Sequence, residues 1–259
     1  MRVRNAMSLV LFCSLFFSPS MASQAQASPT QAVSPMGAVV QSWHRDTASQ
    51  TVSILVANNS HKDITAYSMT VHAQYVDGTA DNFQATEDML FLMINTNSAP
   101  FSPGVIRNYS FPTTKNVLDV RAVVDVVVYS DRSADVQNEQ AFKNLVALRK
   151  GHLLSIQKAD DVINQILSDP SVKNPASVAA DQLSNLLSVL DAKSFAPDDP
   201  EAYEKTGLKS VEAELRNRNQ SPSTISLPER DYLKTIIERH AAEAAEITTH
   251  SQLVKRAGE

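Results

Sequence analysis

Apolar and polar residues alternate with a period of two between Thr51 and Ser130, and beyond Ser130 the apolar residues recur every three or four positions. Alternation is typical of strands with one buried face, whereas the longer spacing is typical of amphipathic helices. The sequence therefore predicts an α+β chain. An N-terminal antiparallel β-sandwich precedes a C-terminal all-α region, which would form a helical hairpin or a loose bundle.

The strand module spans residues 37–130. Two of its predicted strands carry the core, with inward positions at Ile64, Ala66, Met69, Val71, Ala73 and Tyr75, and at Val120, Ala122, Val124, Val126 and Val128. Asp77-Gly78 signals a tight turn, and residues 79–103 are interpreted as a connection. The predicted strands cover residues 39–43, 51–56, 64–75, 104–111 and 118–129.

The helical region, residues 131–259, divides at its proline residues. We expect one long helix over residues 133–168, with Asp131 or Ser133 as its N-cap and Gly151 weakening its middle. Asn174-Pro175 and Asp199-Pro200 each place a capping residue before a proline, which favours a helix start. Ser226-Leu227-Pro228-Glu229 has the form of a capping box and predicts a fourth helix reaching about Arg256.

The first 27 residues have the features of an export signal. Arg2 and Arg4 precede an apolar run at residues 7–17, and Ala25-Gln26-Ala27 supplies a cleavage site after Ala27, with Ser23 as a second choice. Residues 28–36 then form a flexible leader, and no later run reaches the ~20 apolar residues of a membrane span. The sole cysteine, Cys13, lies inside the signal. These features predict a bacterial protein that is periplasmic or secreted, without disulfides.

The formal net charge of −5 indicates which classes of partner are unfavourable for this chain. Neither the strand module nor the helical region is basic, which argues against nucleic acid and against an anionic membrane surface as a partner.

Several strings in the strand module resemble a known kind of protein. NNSHKDITAY, YVDG, SPG and VVDVVVYSD are similar to a module of uncharacterised secreted bacterial proteins and, more distantly, to the FxLYD-type envelope sandwiches. The resemblance covers about residues 39–131. It implies an immunoglobulin-like sandwich followed by a helical tail, in an extracytoplasmic compartment, and it implies no activity.

Six consecutive large apolar residues at positions 89–94 form a candidate interaction patch. Contiguous exposed apolar surface marks binding sites, but a buried strand or a short helix closing the sandwich would give the same run. The residues that would form the patch are Met89, Leu90, Phe91, Leu92 and Met93.

Two further sets of residues have the composition of metal sites. His240, Glu243, Glu246 and His250 share one flank of the last predicted helix, and imidazole with carboxylate suits a transition metal. A solvated helix face explains the same spacing. The oxygen-rich segment 77–82 loosely resembles a calcium loop, although a hairpin turn accounts for it.

No sequence motif of a nucleophile elbow, a phosphate loop or a zinc protease is present. We therefore expect a non-catalytic extracytoplasmic protein without a cofactor or metal. It would bind another envelope or secreted protein, or form a homo-oligomer through its long helices. A periplasmic protein that binds a small molecule or metal, and an envelope hydrolase with an unrecognised site, are the alternatives.

Overall fold

The computed structural model describes residues 36–90, 101–218 and 227–255, and these form two compact units. The sheet unit contains residues 36–89, 101–141 and 254–255, and the helical unit contains residues 90, 142–218 and 227–253. The predicted signal peptide and residues 28–35 of the leader lie outside the described residues. The two units confirm the predicted α+β class, with strands first and helices after them.

The sheet unit has two sheets. One has three strands in the order β1-β2-β5, and the other has five in the order β4-β3-β6-β7-β8. All neighbouring strands are antiparallel except β7 and β8. The strands are β1 (Ala38–Asp46), β2 (Thr51–Asn58), β3 (Ile64–Tyr75), β4 (Ala80–Asp88), β5 (Ile106–Pro112), β6 (Val117–Tyr129), β7 (Ser133–Val136) and β8 (Val254–Lys255).

The two long strands β3 and β6 supply most of the core, as their alternation predicts. Every position expected to face inward on them is buried. Side chains of the two sheets meet at Phe83 of β4 and Phe111 of β5, whose ring centroids are 4.9 Å apart at an interplanar angle of 73°. This edge-to-face arrangement is the one that aromatic quadrupoles favour.

The prediction of a connection over residues 79–103 is wrong for its first part, because residues 80–88 form β4 along the length of β3. The strand ADNFQATED has little apolar alternation, since it lies at a sheet edge and buries few residues. The turn before it is confirmed. Gly78 has φ +80°, and the Asp77 carboxylate accepts a 2.9 Å hydrogen bond from the Thr79 amide.

The predicted start of the first helix is also wrong, because residues 133–136 form β7. Asp131 accepts a hydrogen bond from the Ser133 amide at 3.0 Å, but this bond closes the β6–β7 turn around Arg132 at φ +69°. The carboxylate that suggested an N-cap thus stabilises a turn. Asn138 is the residue that caps the helix, accepting from the amides of Gln140 and Ala141.

The helical unit contains α1 (Glu139–Ser168), α2 (Pro175–Asp191), α3 (Pro200–Arg216) and α4 (Glu229–Thr249). Asp199 caps α3 as predicted, accepting from the Glu201 amide at 2.9 Å. Asn174 precedes α2 but its side chain makes no capping bond. No helix among the described residues is long and apolar enough to cross a membrane.

The capping box expected at α4 does not match the start of the helix, because Pro228 is the N-cap and Glu229 is the first helical residue. The Glu229 carboxylate accepts from the Ala176 amide at 3.1 Å and pairs with Arg218. Ser226 lies outside the described residues. α4 ends at Thr249 instead of about Arg256, and the chain continues into β8.

All four helices contribute to one apolar core, which contains Ile163, Leu183, Leu208 and Leu233. Two glycines allow α1 and α3 to approach closely. A Cβ at Gly151 would lie 2.2 Å from the Pro200 carbonyl oxygen, and one at Gly207 would lie 2.1 Å from the Ser155 hydroxyl oxygen. The apolar stripes of the helices are therefore buried against each other within one chain.

Candidate functional site

The four residues with metal-site spacing on α4 form separate pairs. The His240 ring nitrogen Nδ1 lies 2.6 Å from an Asp160 carboxylate oxygen, and Glu243 lies 2.7 Å from His152 Nε2. His250 contacts Glu246 at 3.2 Å. Among the described residues, no three His, Cys, Asp or Glu side chains come together in a group that could hold a metal ion.

These pairs join α4 to α1, because Asp160 and His152 both belong to α1. His240 and Glu243 are each only 3% exposed, so an unpaired polar group at either position would be costly. Their spacing on α4 brings them to the buried face of the helix. We interpret this set as structural polar contacts across a helix interface.

Arginines in the helical unit are used in the same way. Arg230 donates to the carbonyls of Leu167 and Asp169, at the end of α1. Arg149 donates to the His250 carbonyl at the end of α4, at 2.9 Å. Terminal carbonyls of a helix have no intrahelical partner, and these guanidinium groups supply one.

Two shallow depressions of about 260 and 200 Å³ lie on the helical unit. The first is lined by Arg216, Arg218 and the start of α2, a combination that would suit an anion. The Glu229 carboxylate already accepts from the Ala176 amide there and pairs with Arg218. The Glu229 carboxylate is therefore the anion that the Ala176 amide and Arg218 bind in this depression. Val146, Leu153 and Leu253 make the second depression mainly apolar.

A buried titratable pair lies inside the sheet unit. The Tyr67 hydroxyl donates to the Glu87 carboxylate at 2.9 Å, and the Tyr67 ring packs 5.8 Å from that of Phe101. Burial raises the pKa of Glu87 above its ordinary value, and burial together with the Glu87 charge raises the pKa of Tyr67 well above 10.0. Arg107, whose guanidinium lies over the Phe101 ring, partly offsets both shifts.

The apolar run at residues 89–94 divides between described and undescribed residues. Met89 is 0% exposed and Leu90 is 1% exposed, so these two residues contribute no accessible patch. Phe91, Leu92 and Met93 lie outside the described residues. The interaction patch remains a prediction for those three.

The sheet unit presents an open strand edge at β1, which ends the strand order of the three-stranded sheet. β1 pairs with β2 from Ala38 to Asp46, with a register shift between Val40 and Ser42. Among the described residues, no backbone–backbone hydrogen bond outside this ladder involves β1. Unpaired backbone donors and acceptors along an edge strand are a template for another strand.

Two side chains on the second half of β1 point between the sheets. Trp43 lies opposite Ile54 and Arg45 lies opposite Val52, and both partners are fully buried. Trp43 and Arg45 themselves are only half-buried. The Nε atom of Arg45 is buried, yet no described residue forms a hydrogen bond with it.

The outer face of the three-stranded sheet is almost without charge. The facing rows, from one end of the sheet to the other, are Val39–Ala57–Ile106, Ser42–Leu55–Asn108, His44–Ser53–Ser110 and Asp46–Thr51–Pro112. Ile106 is 51% exposed, and Asp46 is the only residue of these rows with a full charge at neutral pH. Depletion of charge is typical of the central part of protein interfaces.

Comparisons of this chain with protein-family models, with curated proteins and with solved structures give no match. The candidate site therefore stands on its own geometry.

The sequence predicts a first strand that ends at Trp43, whereas β1 continues to Asp46 and includes Arg45. Alternation across Trp43, His44 and Arg45 was a usable signal, because it places an arginine on the same side as the chain's single tryptophan. The register shift after Val40 masks the pattern, since it breaks the period of two within the strand.

Proposed function

We propose that this chain is an exported, non-catalytic protein that binds another envelope or secreted protein through the edge of an immunoglobulin-like sandwich. The observation that carries the proposal is the open edge of β1. No strand of the described residues pairs with its outer edge, and the addition of a strand at such an edge is a common means of recognising an extended peptide.

The strand order supports the immunoglobulin-like part of the proposal. In immunoglobulin-like sandwiches, strands A, B and E share one sheet and strands C, F and G share the other, and some of these folds add strand C′ beside C. Without strand D, these are the first, second and fifth strands in one sheet and the third, fourth, sixth and seventh in the other. The orders β1-β2-β5 and β4-β3-β6-β7 follow this arrangement. β8 adds a short parallel neighbour to β7.

Packing within the helical unit favours binding through the sheet unit over self-assembly through the helices. The stripes that would have joined two chains already form one core. Export itself rests on the sequence features of the first 27 residues, and the nearly uncharged sheet face agrees with a protein partner.

Site-specific photo-crosslinking in the cells that produce the protein tests this function. A photoreactive residue at the exposed Gln41 of β1 should give a defined crosslinked protein species, identified by mass spectrometry. The matched control is Val189 of α2, which is 63% exposed. Equal products from both positions, or none from Gln41, would contradict binding through β1.

A further inference from the structure

We infer that β1 binds an extended peptide segment carrying an acidic side chain, whose carboxylate pairs with Arg45. This inference rests on the proposed function and deepens it, because it specifies the chemistry of the partner at the same edge. Three features carry it: the unpaired guanidinium nitrogen, the regular second half of the strand, and the position of the neighbouring acid.

Arg45 is half-buried, and no described residue supplies a hydrogen-bond partner for its buried Nε atom. Its side chain points between the sheets, its Nε atom is buried, and no described residue forms a hydrogen bond or ion pair with it. A buried unsatisfied donor is unfavourable, and a carboxylate is the group that best satisfies a guanidinium. The helical unit contains the contrasting case, where Arg239 binds Glu214 through two bonds of 2.9 and 2.7 Å.

The nearest acid on the same strand is already engaged elsewhere. Asp46 lies opposite Thr51 on the outer face, and its carboxylate accepts hydrogen bonds from the Ala48 amide at 2.8 Å and from the Ser49 hydroxyl at 2.7 Å. These hydrogen bonds lower the pKa of Asp46, which keeps it ionised within its own turn. An acid that pairs with Arg45 must therefore come from outside the strand.

Backbone geometry indicates where the partner would lie. The register shift between Val40 and Ser42 interrupts the first half of β1, whereas Ser42 to Asp46 pairs regularly with β2. This regular segment contains five residues, and each residue of a strand rises ~3.3 Å. A partner strand of about five or six residues would therefore have the same length. Its side chains would alternate between the outer face and the space beside Trp43 and Arg45.

Trp43 provides a direct readout, because it is the single tryptophan of the chain and lies two residues from Arg45. Two acetylated hexapeptide amides serve as probes, Thr-Val-Glu-Val-Thr-Val and the same sequence with glutamine replacing glutamate. Each is titrated into the full-length exported protein while the Trp43 fluorescence is recorded. We expect saturable binding of the glutamate peptide, at least tenfold tighter than that of the glutamine peptide.

Variants of Arg45 test whether the difference in affinity between the two peptides depends on this side chain. Arg45→Gln should bind the two peptides equally, and Arg45→Lys should keep part of the preference because it keeps the charge. Arg121→Gln is the matched control, since Arg121 is exposed and pairs only with Asp119. Thermal unfolding of each variant verifies that it is folded.

The inference is overturned if the glutamate peptide shows no saturable change at millimolar concentration, or if folded Arg45→Gln keeps the preference for glutamate. It is also overturned if Arg121→Gln removes that preference as fully as Arg45→Gln does. Crosslinking from Gln41 separates this failure from that of the proposed function. A crosslinked protein without peptide discrimination would leave β1 as a binding edge with another ligand chemistry.

Discussion

The two units contrast in one arginine each, because Arg239 of the helical unit binds a carboxylate whereas Arg45 of the sheet unit binds none among the described residues. In the helical unit, His240, Glu243 and Arg239 each meet a partner on another helix. In the sheet unit, Arg45 is directed between two sheets, and its buried Nε atom has no partner among the described residues. Because Arg45 lies on the edge strand β1, this position indicates where an external group would bind.

The two units also differ in the contacts that pack their elements together. The helical unit relies on close approach at Gly151 and Gly207, together with polar pairs between helices. The sheet unit relies on buried apolar alternation along β3 and β6, and its acids bond both within turns and to side chains of the strands, as in the Tyr67–Glu87 pair. Four experiments test how the two units are stabilised.

The largest effect is expected from Gly151→Leu. The first side-chain atom would lie 2.2 Å from the Pro200 carbonyl oxygen and 2.6 Å from Tyr203 Cβ, so α1 and α3 must move apart. We expect the helical unit to lose about 3 kcal/mol, at the upper end of overpacking costs. Lys150→Leu, at the exposed neighbouring position, is the control for thermal unfolding. Equal stability of the two variants would show that the helices do not need this close contact.

A double-mutant cycle on His240 and Asp160 tests the polar pairing between α4 and α1. His240→Ala and Asp160→Ala should show a coupling energy of about 1–2 kcal/mol in chemical denaturation, because the two residues are in direct contact and one is buried. Lys234 with Asp231, an exposed pair on α4, provides the reference cycle and should couple by only ~0.3–0.5 kcal/mol. Coupling that is no larger at the buried pair would show that burial does not strengthen the polar pairing of α4 with α1.

A smaller effect is expected from Asp131→Asn in the β6–β7 turn. The hydrogen bonds from Lys62 and Ser133 hold the pKa of Asp131 well below its ordinary value of 3.8. The ionised carboxylate therefore stabilises the folded state above that pH, and its contribution disappears as the pH falls. Because the pair is about half exposed, we expect a loss below ~1 kcal/mol at pH 7. The loss should shrink in acid, and a loss that grows in acid would refute this assignment.

Glu87→Gln should have the smallest effect at neutral pH, and it should be opposite in sign. Burial raises the pKa of Glu87 above 4.5, so its stabilising contribution is fully present below pH 4.5 and is lost as the pH rises through the folded-state pKa. Glutamine keeps an acceptor for the Tyr67 hydroxyl without the charge. We expect the variant to be at least as stable as the wild type at pH 7. The difference between the two proteins, measured by denaturation at pH 4 and pH 7, should favour the variant more at pH 7.

Much of this fold is predictable from local patterns. The inward positions of β3 and β6 follow from alternation, and Asp199-Pro200 marks the start of α3. β4 was missed because an edge strand that buries few residues lacks the apolar signal. The start of α1 was misplaced because an aspartate can cap a turn as readily as a helix, and only the chain that follows distinguishes them.

The candidate site could not be predicted in the same way. That Arg45 lacks a partner depends on the absence of an acid among residues that are distant in sequence, which no local pattern encodes. The α4 set shows the reverse, because its acids and histidines share a flank but pair with Asp160 and His152 of another helix. The spacing of residues along a helix shows which face they share, whereas tertiary packing decides which side chains of another helix they contact.

The parallel pairing of β7 with β8 has a consequence for the order of assembly. Ser133 pairs with Val254, so all four helices lie in the intervening chain. Contacts between residues this far apart in sequence form slowly, because a long loop must close first. The five-stranded sheet cannot be completed until the chain has been synthesised as far as residue 255. Until then β7, only four residues long, remains the outermost strand, and a protease that removes residues 254–259 would return it to that state.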